Sequence, residues 1–200
     1  MKVFDHWTTW PQAQAGLAGR VPPEDLEVLA EAYAFAEACH GGQLRPGGEP
    51  YVRHLLQAVE VLAEGAGILE RDLLVAALLH DVVEDTACGL DQVRDRFGPR
   101  AAELVDWVTK TDPPDGDDTA AKEAARLGYL RRLATAPPEA VLVKLADRLS
   151  NVQRLDQHPS PEKQHSYYRE TVDWILPLAA GVPFFHEQFA RWRERFAELG

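Results

Sequence analysis

The decapeptide ALLHDVVEDT, residues 77 to 86, begins as an apolar run and carries His80, Asp81, Glu84 and Asp85 toward its end. If one helix continues through it, residues four apart share a face, so His80 stacks with Glu84 and Asp81 with Asp85. Two such pairs offer nitrogen and oxygen atoms that can surround a cation and its water. Taken alone, the stretch equally fits a buried helix emerging into solvent with surface acids at its end. Two distant residues shift that balance. His54 stands in PYVRH, and Asp147 stands in VKLADRLSN among apolar Val143, Leu145, Ala146 and Leu149, a charge at the edge of a core-facing stripe. Charges in such places must be paired, hydrated in a cleft or bound to metal. His54, His80, Asp81 and Asp147 form a mixed nitrogen and oxygen set, which suits manganese, iron or zinc better than calcium. Their convergence in space is an expectation that spacing alone does not establish.

The elements that must position these groups all read as helices. Glu24 to His40 carries Leu26, Leu29, Ala30, Tyr33 and Ala34 at helical spacing, and Gly41-Gly42 marks its end. The glycine- and proline-rich GGQLRPGGEP is a loop, after which Pro50 to Ala63 resumes a helical pattern. Arg71 to Glu84 is apolar on every side and is therefore expected to be a central helix. Leu90 to Phe97 and Pro99 to Thr109 read as shorter helices separated by Gly98. KTDPPDGDDT, residues 110 to 119, is a long loop, with Thr119 a candidate cap for a helix to about Ala134. Pro138 opens a helix with the stripe Val141, Leu142, Leu145 and Leu149, and Ser160-Pro161-Glu162 opens another toward Ile175. Phe185, Phe189, Trp192 and Phe196 share one face of the last segment, which reads as core in preference to a dimer surface. No strand alternation, repeat or low-complexity tract appears, so the expectation is an all-α bundle of about eight to ten helices in one domain spanning residues 1–200.

A net charge of −11 over 200 residues disfavours a nucleic-acid polymer or an anionic membrane as partner. The N-terminus lacks a secretory pattern and no stretch approaches a membrane span, so a cytoplasmic location is expected. Cys39 and Cys88 have no metal-type spacing and read as buried or incidental thiols.

Four stretches in order, AYAFAEACHGGQLRPGGEPYVRH, ALLHDVVEDT, FGPRAAELVDWVTK and VKLADRLSNVQRL, closely resemble the hydrolase domain of the RelA/SpoT homologues. The likeness is dense over roughly residues 28 to 156. With no synthetase region following, the chain looks like a stand-alone small alarmone hydrolase, similar to the metazoan SpoT-type enzymes. The resemblance implies an HD-superfamily helical domain that uses Mn²⁺ to remove the 3′-pyrophosphate of guanosine tetra- or pentaphosphate, giving GDP or GTP and pyrophosphate. It further implies His54, His80, Asp81 and Asp147 as metal ligands, and Glu84 and Asp85 as the catalytic pair beside the attacking water. Arg45 matches the side chain that packs on guanine, while Lys144, Arg148 and Asn151 match nucleotide-binding positions. The chain departs from the family in having Leu55 where proline usually follows the first histidine, Pro46 after Arg45, and Arg154 near the base. The last two touch substrate contacts and leave the metal set intact.

The residue types suit that chemistry independently. Phosphate esters repel hydroxide, so a catalyst needs a cation that acidifies water and offsets negative charge, with a carboxylate to take the proton. Glu84 is the first choice for that carboxylate, being stacked on His80 in the continuous helix. Arg45, Arg53, Lys144, Arg148 and Arg154 concentrate positive charge within the motifs of an acidic chain, and arginine offers both a planar face and a phosphate fork. Two other readings remain open at this point: an HD phosphohydrolase of another nucleotide, such as the 2′-phosphate of NADPH, and a non-enzymatic nucleotide sensor.

Overall fold

The computed structural model describes residues 1–111 and 118–200. Among the described residues there is no strand; isolated bridges join Ala18 to Val21 and Leu44 to Pro50. The helices of eight residues or more are α1 (Trp10–Leu17), α2 (Pro23–His40), α3 (Val52–Glu60), α4 (Arg71–Leu79), α6 (Leu90–Phe97), α7 (Pro99–Val108), α8 (Thr119–Leu133), α9 (Pro138–Val152), α10 (Pro161–Glu170) and α12 (Pro183–Arg195). Two single turns, α5 (Val82–Asp85) and α11 (Leu176–Leu178), complete the α-helical set. These ten longer helices fall within the expected range, and the all-α class holds. No described helix is long and apolar enough to cross a membrane.

Helix α4 is central because its sequence leaves it no polar face. Leu73 to Leu79 are all buried, and the helix packs against α2, α3, α7 and α9. Each fully buried leucine contributes about 1.5–3 kcal/mol relative to exposure. Helices α3 and α9 pack on one another as well as on α4, so three elements distant in sequence meet at one end of the core. The aromatic stripe of α12 is core, as expected: Phe185, Phe189, Trp192 and Phe196 are buried, and Trp192 Nε1 donates to the Val152 carbonyl at 2.8 Å.

Several boundaries differ from expectation. The segment Arg71 to Glu84 is two helices, with His80 and Asp81 in a turn between α4 and α5. Helix α3 begins at Val52 and widens into a π-turn at Val61–Ala66, ended by Gly67 at φ 70°. Asp118, not Thr119, caps α8, its carboxylate accepting from Ala120 N at 2.8 Å. The tip of the 110–119 loop lies outside the described residues. Helix α1 had no counterpart in the expectations.

The reading of Cys39 and Cys88 as incidental thiols is overturned: the two form a disulfide with Cα atoms 6.3 Å apart. Cys39 lies in the last turn of α2 and Cys88 in the connection between α5 and α6. The bond depends on α2 packing beside α5, a contact that a separation of 49 residues conceals.

Candidate functional site

The turn at His80 and Asp81 sits where α4 meets α3 and α9. Asp81 has φ −100° and ψ −5°, and its carbonyl accepts from Asp85 N at 2.8 Å, so it starts α5 as an N-cap. An N-cap aspartate ordinarily turns its carboxylate onto the helix amides. Asp81 makes no such bond; Oδ2 lies 3.0 Å from His80 Nε2 and 3.4 Å from His54 Nε2. From α9, Asp147 Oδ1 lies 3.3 Å from His54 Nε2 and 3.4 Å from His80 Nε2. The four predicted ligands therefore converge, and His54, His80 and Asp81 form a group able to hold a metal ion.

The donor chemistry fits a cation. His80 Nδ1 is 2.8 Å from the Ala77 carbonyl, which only accepts, so that nitrogen carries the proton. Ser150 Oγ donates to the Asp147 carbonyl at 2.8 Å and must accept from His54 Nδ1 at 2.9 Å. Both imidazoles thus present unprotonated Nε2 lone pairs, only 3.1 Å apart, beside two carboxylates. Such an arrangement is repulsive unless a positive species lies among the four atoms. Without metal that species is a proton. Burial opposes charge on His80, but Asp81 and Asp147 outweigh it and raise its pKa well above the ordinary value. Burial likewise opposes ionisation of Asp81 and Asp147, yet the adjoining His80, and for Asp147 first Lys144, hold both well below the usual carboxylate range.

Glu84 and Asp85 face the same cleft as Asp81, but the broken helix separates their environments. The stacking of Glu84 over His80 drawn from a continuous helix is not what fixes it: Oε2 accepts from Lys110 N at 2.8 Å and Oε1 lies 3.6 Å from Lys110 Nζ. Burial nevertheless raises the Glu84 pKa against the pull of Lys110 and Lys144. Asp85 is held by Tyr51, whose hydroxyl lies 2.5 Å from Asp85 Oδ2 and 2.7 Å from Asp81 Oδ2. One hydroxyl proton serves two carboxylates, and burial with Asp81 beside it pushes the phenol pKa up.

The predicted substrate-binding residues line two adjoining cavities. Arg45 is set by a tight loop in which Arg45 N donates to Glu49 O and Gly48, at φ 87°, donates back to Arg45 O. Its Nη2 donates to Asn151 Oδ1 at 2.6 Å, and Asn151 Nδ2 donates to Asp147 Oδ1 at 2.6 Å, linking the loop to the histidine-aspartate cluster. Arg45, Asn151 and Arg154 line a cavity of about 380 Å³. Asn151 also lines the neighbouring cavity of about 370 Å³, which holds Asp81, Glu84 and Asp85 with Lys144 and Arg148. Lys144 Nζ donates to Asp147 Oδ2 at 2.7 Å, leaving Oδ1 toward the histidines.

Sequence reasoning missed the supporting groups. Tyr51 binds both aspartates and Ser150 contacts His54; Lys110 ends the stretch FGPRAAELVDWVTK without a role being drawn for it, and Arg126, Tyr129, Lys163 and Glu170 in the second cavity belonged to no motif considered. His40 is buried, 2.9 Å from Gln43 Oε1 through Nδ1 and stacked on Tyr51 with ring centroids 4.4 Å apart, a supporting position under the loop. Arg53 does not line either cavity. Arg154 is paired with Asp5.

The sequence model of the HD domain matches residues 32–182, three-quarters of the chain and all four predicted ligands. The chain belongs to the HD-domain family. This HD domain is 39% identical over 177 residues to the guanosine-3′,5′-bis(diphosphate) 3′-pyrophosphohydrolase of Aquifex aeolicus, covering 87% of the chain and 24% of that protein. It is 36% identical over 169 residues to the bifunctional (p)ppGpp synthase/hydrolase SpoT of Escherichia coli, covering 83% and 23%. The chain thus spans about a quarter of the length of these curated relatives. A solved structure described as a metazoan ortholog of SpoT that hydrolyzes ppGpp superposes with a TM-score of 0.75 at 27% identity, covering 88% of this HD domain and 97% of that chain.

Proposed function

We propose that the chain is a metal-dependent phosphohydrolase that removes the 3′-pyrophosphate of guanosine tetra- or pentaphosphate, releasing GDP or GTP and pyrophosphate. The observation that carries the reading is the convergence of the Nε2 atoms of His54 and His80, 3.1 Å apart, on the carboxylates of Asp81 and Asp147 beside a cleft that acidic and basic side chains line together. The likeness to a ppGpp-hydrolysing ortholog of SpoT along nearly the whole of that chain supports the choice of substrate. The donor set of two imidazoles and two carboxylates accepts Mn²⁺, our assignment of the native ion. When bound, a divalent cation supplies Lewis acidity: it makes water more acidic and offsets charge on the phosphate.

The chain's own residues do the rest. Ser150 and the Ala77 carbonyl fix the ring tautomers, so the ligand atoms need no rearrangement on loading. Glu84, half-buried and with its pKa raised by that burial, takes the proton from the attacking water. Asp85, held by Tyr51, positions that water. Lys144 and Arg148 receive phosphate oxygens, and the Arg45 guanidinium, steadied by Asn151, stacks on the guanine.

A panel of nucleotides assayed with Mn²⁺ and with chelator, with products resolved by chromatography, tests the reading. Metal-dependent release of pyrophosphate from guanosine 3′,5′-bis(diphosphate) is expected. Orthophosphate release from another nucleotide, or no turnover by metal-loaded protein, defeats it.

A further inference from the structure

Arg148 carries an unusual combination of contacts. It lies on α9 next to Asp147, is 6% exposed, and lines the cleft that holds the acids. Its Nη2 is bonded to Glu170 Oε1, and its guanidinium carbon lies 5.3 Å from the Tyr167 ring centroid. Its Nη1 is buried and has no hydrogen-bond partner among the described residues. A buried guanidinium N–H left without an acceptor is costly, and the fold retains it beside a cleft lined by further cations.

Glu170 explains how that geometry is held. It is the last residue of α10, at the junction with a π-turn over Thr171–Ile175. While Oε1 binds Arg148, Oε2 accepts from Arg126 Nη1 at 2.5 Å, and Arg126 is itself forked onto Glu123 with both contacts at 2.8 Å. Each oxygen of Glu170 is therefore anchored on a different helix, so the carboxylate cannot rotate away from Arg148. Two guanidinium groups and two carboxylates, Glu123 and Glu170, meet at the junction, so its formal charges balance and what distinguishes it is the fixed orientation of Arg148. We propose that Glu170 is a positioning residue for anion binding: it fixes Arg148 so that Nη1 is presented to a phosphate oxygen of the substrate. The inference rests on the proposed phosphohydrolase site but concerns a residue outside the four motifs, on a helix that contributes no ligand to the metal set.

Binding of inorganic pyrophosphate to the Mn²⁺-loaded protein, measured by calorimetry, tests this without requiring turnover. Losing one well-placed hydrogen bond to a charged group corresponds to about a tenfold weakening. Glu170→Ala is expected to weaken pyrophosphate binding by about that factor with metal content unchanged, while Glu170→Gln, which keeps one acceptor for Arg148 but turns an amide donor toward Arg126, falls between Glu170→Ala and wild type. Arg148→Ala weakens binding similarly, and the double variant is no weaker than Arg148→Ala alone, because both changes remove one interaction. Glu170→Asp keeps the charge but is one methylene short; it weakens binding severalfold and carries the test if Glu170→Ala does not fold. Unchanged binding in Glu170→Ala and Glu170→Asp, or additive losses in the double variant, overturns the proposal. Wild-type turnover of guanosine 3′,5′-bis(diphosphate) is measured alongside. Its absence with the pyrophosphate cycle intact removes the proposed reaction and leaves the role of Glu170 standing, whereas turnover with an additive cycle does the reverse.

Discussion

Replacing Ser150 with alanine isolates the device that prepares His54 for metal. Ser150 is buried on α9, one turn from Asp147, and its single hydroxyl both donates to the Asp147 carbonyl and accepts from His54 Nδ1. Without the oxygen, the buried Nδ1–H has no acceptor, which costs about 1–3 kcal/mol. The ring can relieve that cost by moving its proton to Nε2, the atom 3.1 Å from His80 Nε2 and needed for ligation. Metal binding must then reverse the shift, so the penalty appears in affinity. Loss of such an outer partner weakens metal binding by about 10- to 100-fold. The assay is a Mn²⁺ titration by calorimetry at fixed pH, beside thermal unfolding of the metal-free protein. We expect the weaker affinity together with a stable metal-free fold, because in that form His54 can adopt the other tautomer. An affinity equal to wild type would refute the tautomer argument. A metal-free protein that unfolds at room temperature would show instead that Ser150 serves packing.

Glu84→Gln keeps an acceptor for Lys110 N but cannot take a proton; turnover should fall by about 10²–10⁴-fold with metal content retained, measured by steady-state kinetics and metal analysis. Because burial raises the Glu84 pKa, wild-type activity should climb with pH through a point above the ordinary glutamate value, and a profile flat down to that value contradicts the assignment. The metal-free protein should have its own pH signature. The raised His80 pKa contributes stability that is present below the unfolded value of 6.5 and is lost as pH rises through the folded pKa, while the depressed Asp81 and Asp147 contribute above their unfolded value of 3.8 and lose it as pH falls through their folded values. Thermal unfolding in chelator should therefore favour the window between those unfolded values, and Mn²⁺ should shift the optimum upward by replacing the proton. Cys39→Ser opens a loop closed across a separation of 49 residues, which loop-closure entropy values at about 4 kcal/mol as an upper figure; unfolding midpoints with and without reductant, beside thiol titration, check it.

The legible part of the site was the part written in residue types. A histidine and an aspartate ending an apolar run, and Asp147 among Val143, Leu145, Ala146 and Leu149, mark charges forced to the core boundary, and these did converge. What failed was the geometry drawn from them. The stacking of His80 on Glu84 assumed one helix from Arg71 to Glu84, whereas the turn at Asp81 redirects its carboxylate toward the imidazoles and sends Glu84 to Lys110. Nothing local announces such a turn, because aspartate suits a helix cap and a helix interior face alike in a short window. Helix α1 was more accessible: Thr9 before Trp10-Pro11, with Gln12 Oε1 accepting from Thr9 N at 3.0 Å, is a helix start that could have been read. Tyr51, Ser150, Glu170 and the cysteine pair act across long separations, and only tertiary packing gives them partners.

The charges of the cleft bind these pieces into one electrostatic design. The cavity beside the histidine-aspartate cluster is lined by the acids Asp81, Glu84, Asp85, Asp147 and Glu170 and by the bases Lys110, Arg126, Lys144, Arg148 and Lys163. Fully ionised, the two groups cancel, inside a chain whose net charge is −11. A cleft of that balance has little attraction for a polyanion, and the histidine-aspartate cluster within it demands a positive species. Loading a divalent cation answers both conditions at once: it replaces the proton shared among His54, His80 and the two aspartates, and it tips the cavity toward positive charge just where a pyrophosphate group must enter. Acid-rich and base-rich walls, which look contradictory as a phosphate site when counted residue by residue, are complementary once the cation is included. On this argument metal affinity and nucleotide affinity are coupled through the field of the cleft, with Lys144 on Asp147 Oδ2 as the point where the two meet.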